Sequence, residues 1–210
     1  MEGPPTTILL IRHAHVDTGP EPGLLCGSFD LPVSPTGRRA LDALGARPPA
    51  CRPDVLYSSS LARARETAEV LASVWHLPCT ADDGLREIHC GVLDGRPIAW
   101  IKREYPELWS RNQAQLDDEF AWPEGESYRQ FRERTLSALR RIARRHQGQR
   151  VAVVTHAGVI AQVVGTVLGR PAAVWEEGRP AHLSLSEIVW ANGTPRSVVS
   201  FNQLSWCRSA

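Results

Sequence analysis

The sequence is short of the features that would tie it to a charged partner or a membrane. Lys plus Arg total 24 and Asp plus Glu total 23, a formal net charge of +1. That near-balance removes the electrostatic case for nucleic acid or an anionic membrane as a partner, so any anion site must be local. No uninterrupted apolar run is long enough to span a bilayer. The five cysteines, Cys26, Cys51, Cys79, Cys90 and Cys207, include no CxxC pair and no regular spacing. An odd, scattered set fits reduced thiols in a cytoplasmic protein better than a disulfide frame. Met1-Glu2-Gly3-Pro4-Pro5 has no basic region followed by an apolar stretch, so no signal peptide is expected. HExxH and paired Cys/His spacings are also missing, which leaves a metal centre without its usual signature. There is no internal repeat and no low-complexity tract.

What is present is an alternation of strand-like and helix-like segments. The 210 residues suit one domain with room for a small insertion. Thr7-Ile8-Leu9-Leu10-Ile11 reads as a short buried strand that runs into Arg12-His13-Ala14-His15. Gly19 to Gly37 is rich in Gly and Pro and reads as a loop. Ser34-Pro35-Thr36-Gly37 starts a helix over about Arg38 to Gly45, ended by Pro48-Pro49. Asp54 to Tyr57 is a second strand, and any of Ser58, Ser59 and Ser60 can cap a helix over Leu61–Val74. Leu61, Ala64, Ala68 and Leu71 form its apolar stripe. Leu77 to Gly95 reads as extended or looped.

Pro97 to about Leu116 is helical, interrupted by Pro106. Its Trp100, Tyr105, Leu108 and Trp109 are spaced for packing more than for lining a pocket. A capping box at Ser127 and Gln130 opens a helix that carries Phe131, Leu136, Leu139 and Ile142 to Gly148. Arg150 to Thr155 is a third strand, turning at His156-Ala157-Gly158 into a helix over Val159–Leu168. Leu183–Trp190 and Ser197–Leu204 form a hairpin around Asn192-Gly193. The order predicts an α/β domain of three layers (α/β/α), with a largely parallel sheet and helices on both faces.

Three strand ends carry related chemistry. The first presents Arg12 and His13, the second brings Arg63 into the first turn of a helix, and the third presents His156 at a helix start. In open α/β sheets ligands gather outside the carboxyl ends of the strands. Helix N-termini add free N–H groups and a favourable dipole for anions. Guanidinium forks match phosphate oxygens, and a neutral imidazole is a competent nucleophile. Two arginines and two histidines so placed predict a phosphate pocket with no metal. The bland alternative for Arg12-His13 alone is a surface loop holding a stray basic pair.

These stretches resemble the histidine phosphatase superfamily, the phosphoglycerate mutase-like fold. Ile11-Arg12-His13-Ala14 is similar to its Arg-His-Gly signature, and Ser58 to Ala68 to its second motif. Leu85-Arg86-Glu87-Ile88 resembles the segment holding its proton donor. Gly125-Glu126-Ser127, Thr155-His156-Ala157-Gly158 and Phe201-Asn202 match later motifs in the right order. The resemblance implies His13 as the phosphoryl acceptor and Glu87 as the acid that protonates the leaving alcohol and later activates water. It implies Arg12, Arg63 and His156 as the clamp on the phosphoryl oxygens. Cys26, Gly27 and His15 become candidate substrate contacts, with His15 favoured as a plain surface residue and Asp17 left open. Residues 1–210 would form one such domain, with a helical cap-like segment at about 97–125. No cofactor or metal is implied, and the partner would be a small phosphorylated metabolite.

Two positions depart from the pattern: Ala14 follows the nucleophile where glycine is usual, and His15 stands where an acidic residue is often found. The shortness between the second and third motifs favours a phosphatase over a mutase. The loop Gly23 to Gly27 with Asp30 to Ser34 resembles the α-ribazole phosphatase branch, which makes α-ribazole phosphate the first-ranked named substrate. Broad-specificity and phosphoserine phosphatases share much of this loop. Mutase-type phosphoryl transfer, a silent phospho-ligand binder and a metal-dependent hydrolase built on His13 and His15 are the alternatives.

Overall fold

The apolar run Ile8 to Ile11 becomes the middle of the molecule because it is buried on both faces. A computed structural model describes residues 3–46, 51–114, 117–169 and 179–207. Strand β1 (Thr6–Arg12) lies between β4 (Arg150–Thr155) on one side and β5 (Leu185–Ala191) on the other. The six-stranded order is β3-β2-β4-β1-β5-β6, with β2 at Val55–Ser59, β3 at Cys79–Asp82 and β6 at Thr194–Gln203. β3, β2, β4 and β1 are mutually parallel; β5 runs against β1 and β6 runs against β5. Only β5 therefore opposes the common direction, and the sheet is largely parallel as expected.

Alternation along each strand feeds two cores, which explains the continuous apolar runs. Ile8 and Leu10 join Val151 and Val153 on one face, where α5 (Tyr128–Arg145) and α6 (Ala157–Leu168) cover them. Leu9 and Ile11 join Ala152 and Val154 on the other, under α1 (Pro35–Ala46) and α2 (Ala62–Trp75). A third cluster lies apart from both. It gathers Cys90, Leu93, Ile101, Phe120, Trp122 and Tyr128, with α3 (Ile98–Glu104) and α4 (Pro106–Ala114) packed on it. Trp100, Tyr105, Leu108 and Trp109 are half-buried against this cluster, which is the packing role their spacing predicts.

Local signals hold where the bond they require is local. Ser127 accepts from the Gln130 N–H at 3.2 Å while the Gln130 side chain accepts from the Ser127 N–H at 2.9 Å. Asn192 and Gly193 both have positive φ, the pairing a two-residue hairpin turn needs. Two expectations are corrected. Helix α1 starts at Pro35, three residues early, because Ser34 caps it by accepting from the Gly37 N–H at 3.0 Å. Helix α2 has Leu61 as its N-cap, with no side-chain cap from the serines. Instead the distant Asp30 accepts from the Ala62 N–H at 2.8 Å, which frees Ser59 for another task. The stretch Leu77 to Gly95 is extended and looped as expected; its extended part is the edge strand β3, which is mostly exposed and lacks apolar alternation. The expected helix stop at Pro48-Pro49 and the end at Leu116 lie outside the described residues.

Candidate active site

Register brings the site together. Arg12 pairs with Thr155 across β1 and β4, so the next residues, His13 and His156, emerge side by side. Their ring centroids are 5.1 Å apart. Arg63 sits in the first turn of α2, and Glu87 follows the tight turn Asp83–Leu85. All five residues are buried, Arg63 and His156 almost completely. They form one electrostatic cluster: Arg12 and Arg63 both depress the basicity of His13 and His156, and Glu87 favours the charged form of Arg12.

His13 is held with one ring nitrogen bonded and the other free. Its Nδ1–H donates to its neighbour's carbonyl, Ala14 O, at 2.7 Å, which assigns the proton to Nδ1 and leaves the Nε2 lone pair available. Burial first, then His156, Arg63 and Arg12, holds its pKa well below the ordinary histidine value, so the ring is neutral. Ala14, which stands where glycine is usual, is fully buried with its methyl in the core beneath α1 and α2, and its N–H donates to Thr67 Oγ1 at 3.0 Å. The extra carbon is therefore part of the packing.

Arg12 and Arg63 each have both terminal guanidinium nitrogens bonded and Nε left over, and His156 has one ring nitrogen bonded and one left over. Arg63 donates through NH1 to Phe29 O at 2.8 Å and through NH2 to Gly27 O at 2.6 Å. Arg12 donates to Pro180 O and, at 3.1 Å, to His182 Nε2. Ser59 accepts from the Leu61 N–H at 3.3 Å, and its hydroxyl lies 2.8 Å from His156 Nε2. We assign that hydroxyl as donor, which places the His156 proton on Nδ1. Arg12 Nε, Arg63 Nε and His156 Nδ1 are then buried with no partner. An orphaned buried donor costs about 1–3 kcal/mol. Three on three neighbouring cationic or polar groups describe a site built for an anion. Arg12 remains a cation at neutral pH even though burial, then Arg179, draws its pKa down to about 9.

Glu87 is positioned by backbone. One carboxyl oxygen accepts from the Gly158 N–H at 2.9 Å and the other from the Ile88 N–H at 3.1 Å. A Cβ at position 158 would fall 2.2 Å from Glu87 Oε1, so glycine is required for this approach. That glycine lies in the first turn of α6 beside His156, which links the Glu87 carboxyl to the third strand end.

The remaining candidates lie around this group. His15 is exposed and bonded through Nδ1 to Ser34 Oγ at 2.7 Å. Asp17 is also exposed and accepts from the Gly19 N–H. Cys26 is half-buried, and burial raises its thiol pKa, partly offset by Arg63. Gly27 has both backbone groups engaged: its carbonyl orients Arg63 and its N–H donates to Asp94 Oδ1 at 2.9 Å. Asp94 also accepts from Ser28 Oγ at 2.7 Å and so fixes the loop that holds Arg63.

Sequence reasoning missed Asp94, Ser59 and His182. His182 donates from Nδ1 to the His13 carbonyl at 3.0 Å and accepts from Arg12 at Nε2, so one ring ties the Arg12 guanidinium to the backbone of His13. Burial, then Arg12, lowers its pKa to about 4 and keeps it the neutral acceptor this bond requires. No local signal marks it, since it lies 169 residues from His13. Among the described residues, no group of three or more His, Cys, Asp or Glu is placed to hold a metal ion, and no helix is long and apolar enough to cross a membrane.

Known proteins are similar to this chain in sequence and in fold. A "probable phosphoglycerate mutase GpmB" of Salmonella arizonae is 31% identical over 172 residues, spanning 82% of this chain and 78% of that protein. A metal-independent phosphoserine phosphatase of Arabidopsis thaliana is 33% identical over 164 residues, spanning 76% and 68%. The α-ribazole phosphatase from Shigella flexneri superposes with a TM-score of 0.79 over 94% of this chain and 96% of its own, at 22% identity, a likeness of fold alone. The model of the histidine phosphatase superfamily (branch 1) matches residues 8–203, and the chain belongs to that family as a histidine phosphatase.

Proposed function

We propose that the chain hydrolyses the phosphomonoester of a small metabolite through a phosphohistidine at His13, without a metal. The observation that carries this reading is the set of three orphaned donors, Arg12 Nε, Arg63 Nε and His156 Nδ1, gathered around a neutral histidine with a free Nε2. In the first step the Nε2–phosphorus bond forms and the phosphorus–alkoxide bond breaks, with Glu87 giving its proton to the leaving oxygen. In the second, water attacks phosphorus, Glu87 takes the water's proton, and the nitrogen–phosphorus bond breaks to release phosphate. The clamp stabilises the charge on the phosphoryl oxygens in both steps, the task that phosphoryl transfer asks of a protein.

The third apolar cluster serves as a cap. Leu25, beside Cys26, and Ile88, beside Glu87, both pack against it, so the segment at about 97–125 borders the leaving-group side of the site. Mutase-type transfer uses the same first step, with a second alcohol in place of water. The relative named as a probable phosphoglycerate mutase supports it, while the phosphoserine phosphatase supports hydrolysis. α-Ribazole phosphate is the first substrate to try.

The test is a rapid alkaline quench with labelled substrate. A phosphorus–nitrogen bond survives alkali, so label on the peptide carrying Leu10-Ile11-Arg12-His13, absent in His13→Ala, is the expected result. Label on His156 would reverse the two histidines. Full turnover in His13→Ala without label would end the covalent reading. Products resolve the acceptor: inorganic phosphate for hydrolysis, a second phosphate ester for transfer.

A further inference from the structure

Arg134, half-buried on the side of α5 that faces the segment bearing Glu87, divides its guanidinium between that segment and Glu126. NH1 donates to Gly84 O at 3.1 Å and to Arg86 O at 3.0 Å, and NH2 to Glu87 O at 3.4 Å. Nε and NH2 also grip the Glu126 carboxylate at 2.8 and 2.7 Å. These five contacts account for the five N–H groups an arginine has. The carbonyl in between, Leu85 O, accepts from Thr155 Oγ1 at 2.8 Å. Four successive carbonyls, 84 to 87, are thus held by side chains from α5 and β4 as the chain leaves its turn.

Glu126 is itself fixed to the far side of the same segment. Its N–H donates to His89 O at 2.8 Å and its carboxylate accepts from the His89 N–H at 3.4 Å. The approach is close: a Cβ on Gly84 would lie 2.6 Å from the Ala138 Cβ of α5. The Arg134 and Glu126 side chains are 29% and 15% exposed, so this is a partly desolvated, bidentate pair with added backbone acceptors rather than a loose surface bridge.

We propose that Arg134, braced by Glu126, is the positioning residue for the proton donor Glu87. It fixes the backbone from which the carboxyl reaches the leaving oxygen and touches neither phosphate nor substrate. The inference rests on the proposed role of Glu87. A misplaced donor hurts reactions in proportion to how much the leaving oxygen needs a proton, whereas general loosening of the fold hurts all substrates alike.

The experiment compares kcat/KM of the intact chain on an alkyl phosphate and on para-nitrophenyl phosphate, for wild type, Glu87→Gln, Arg134→Gln and the double variant. Arg134→Gln should lose on the order of 10²-fold on the alkyl ester and far less on the nitrophenyl ester. Adding Arg134→Gln to Glu87→Gln should remove little more, because both act through one group. Glu126→Gln, which keeps the guanidinium but takes away its countercharge, should show the same contrast more weakly and carries the test if Arg134→Gln does not fold. Equal losses on both esters, or additive losses in the double variant, would overturn the proposal while Glu87→Gln still showed the contrast. If Glu87→Gln also lost both esters equally, the donor reading would fail first and this inference with it.

Discussion

Gly158→Ala should disable Glu87 without replacing any titratable group. The new methyl carbon would stand 2.2 Å from Glu87 Oε1 and 3.0 Å from its carboxyl carbon, far inside contact distance. The carboxyl is the free end of a side chain, so it swings away and gives up the 2.9 Å bond from the Gly158 N–H. Losing a charge-assisted bond costs about 1.5–3 kcal/mol. Alanine in place of glycine returns up to about 1 kcal/mol of helix propensity. The net destabilisation of about 1–2 kcal/mol lowers Tm by only a few degrees in a chain of this size. Activity should fall much further. General acid catalysis contributes roughly 10²–10⁴-fold, or about 3–5 kcal/mol of barrier. The readout is kcat/KM on an alkyl phosphate beside para-nitrophenyl phosphate, since that ratio covers the steps up to departure of the alcohol and is not masked by slow release of phosphate. Phosphate binding should persist, because the orphaned donors of Arg12, Arg63 and His156 are untouched. Wild-type activity on the alkyl ester in a well-folded Gly158→Ala would refute the placement of Glu87 as donor.

Arg63→Ala should lose about 10²–10³ in kcat while the exposed Arg65→Ala stays near wild type; the reverse ranking in steady-state assays would displace the second motif. Activity on para-nitrophenyl phosphate should survive dialysis against EDTA, and a loss restored by Mg²⁺ or Zn²⁺ would defeat the metal-free reading. Inorganic phosphate at 100 times its Kd should add about 2.7 kcal/mol of stability, visible as a rise in Tm that Arg63→Ala abolishes; no shift in wild type would mean that the orphaned donors do not bind phosphate. His13, His156 and His182 have folded pKa values below the 6.5 they would show unfolded, so the unfolded chain binds more protons below that pH. Their contribution to stability should therefore be constant above about pH 6.5 and fall below it. His182 alone contributes about 3 kcal/mol between 6.5 and about 4, at ~1.4 kcal/mol per pH unit, and a denaturation midpoint that did not fall from pH 7 to 5 would contradict this.

Legibility in the sequence followed the range of the interaction. Strands β1 and β4 could be read because both of their faces are buried, so every residue in the run is apolar. The capping box at Ser127 and the turn at Asn192-Gly193 need bonds across only a few residues, and both stood out. Strand β3 escaped because it is an exposed edge whose pairing with β2 asks nothing distinctive of Cys79 to Asp82. The start of α2 was misread for a related reason. Three serines stood at the expected place, but the helix takes its cap from Asp30, and Ser59 is engaged by His156.

The site divides along the same line. Arg12, His13, Arg63 and His156 follow strand ends, and the motifs around them are compact, so position and chemistry pointed together. The residues that orient them do not sit near them in sequence: Asp94 acts on Gly27 across 67 positions and His182 on Arg12 across 170. Gly158 illustrates the limit best. In sequence it is an ordinary glycine after His156, and its necessity appears only when Glu87, 71 residues earlier, is seen resting against its Cα. In the proposed mechanism, residues that carry charge to the phosphate declare themselves by type, whereas those that aim the charge are defined by what they touch. That separation is also why the aiming residues are the better test of the mechanism. Changing Arg63 or His13 removes chemistry outright, while changing Gly158 or Arg134 leaves the chemistry in place and moves it, so a leaving-group-dependent loss isolates geometry as its cause.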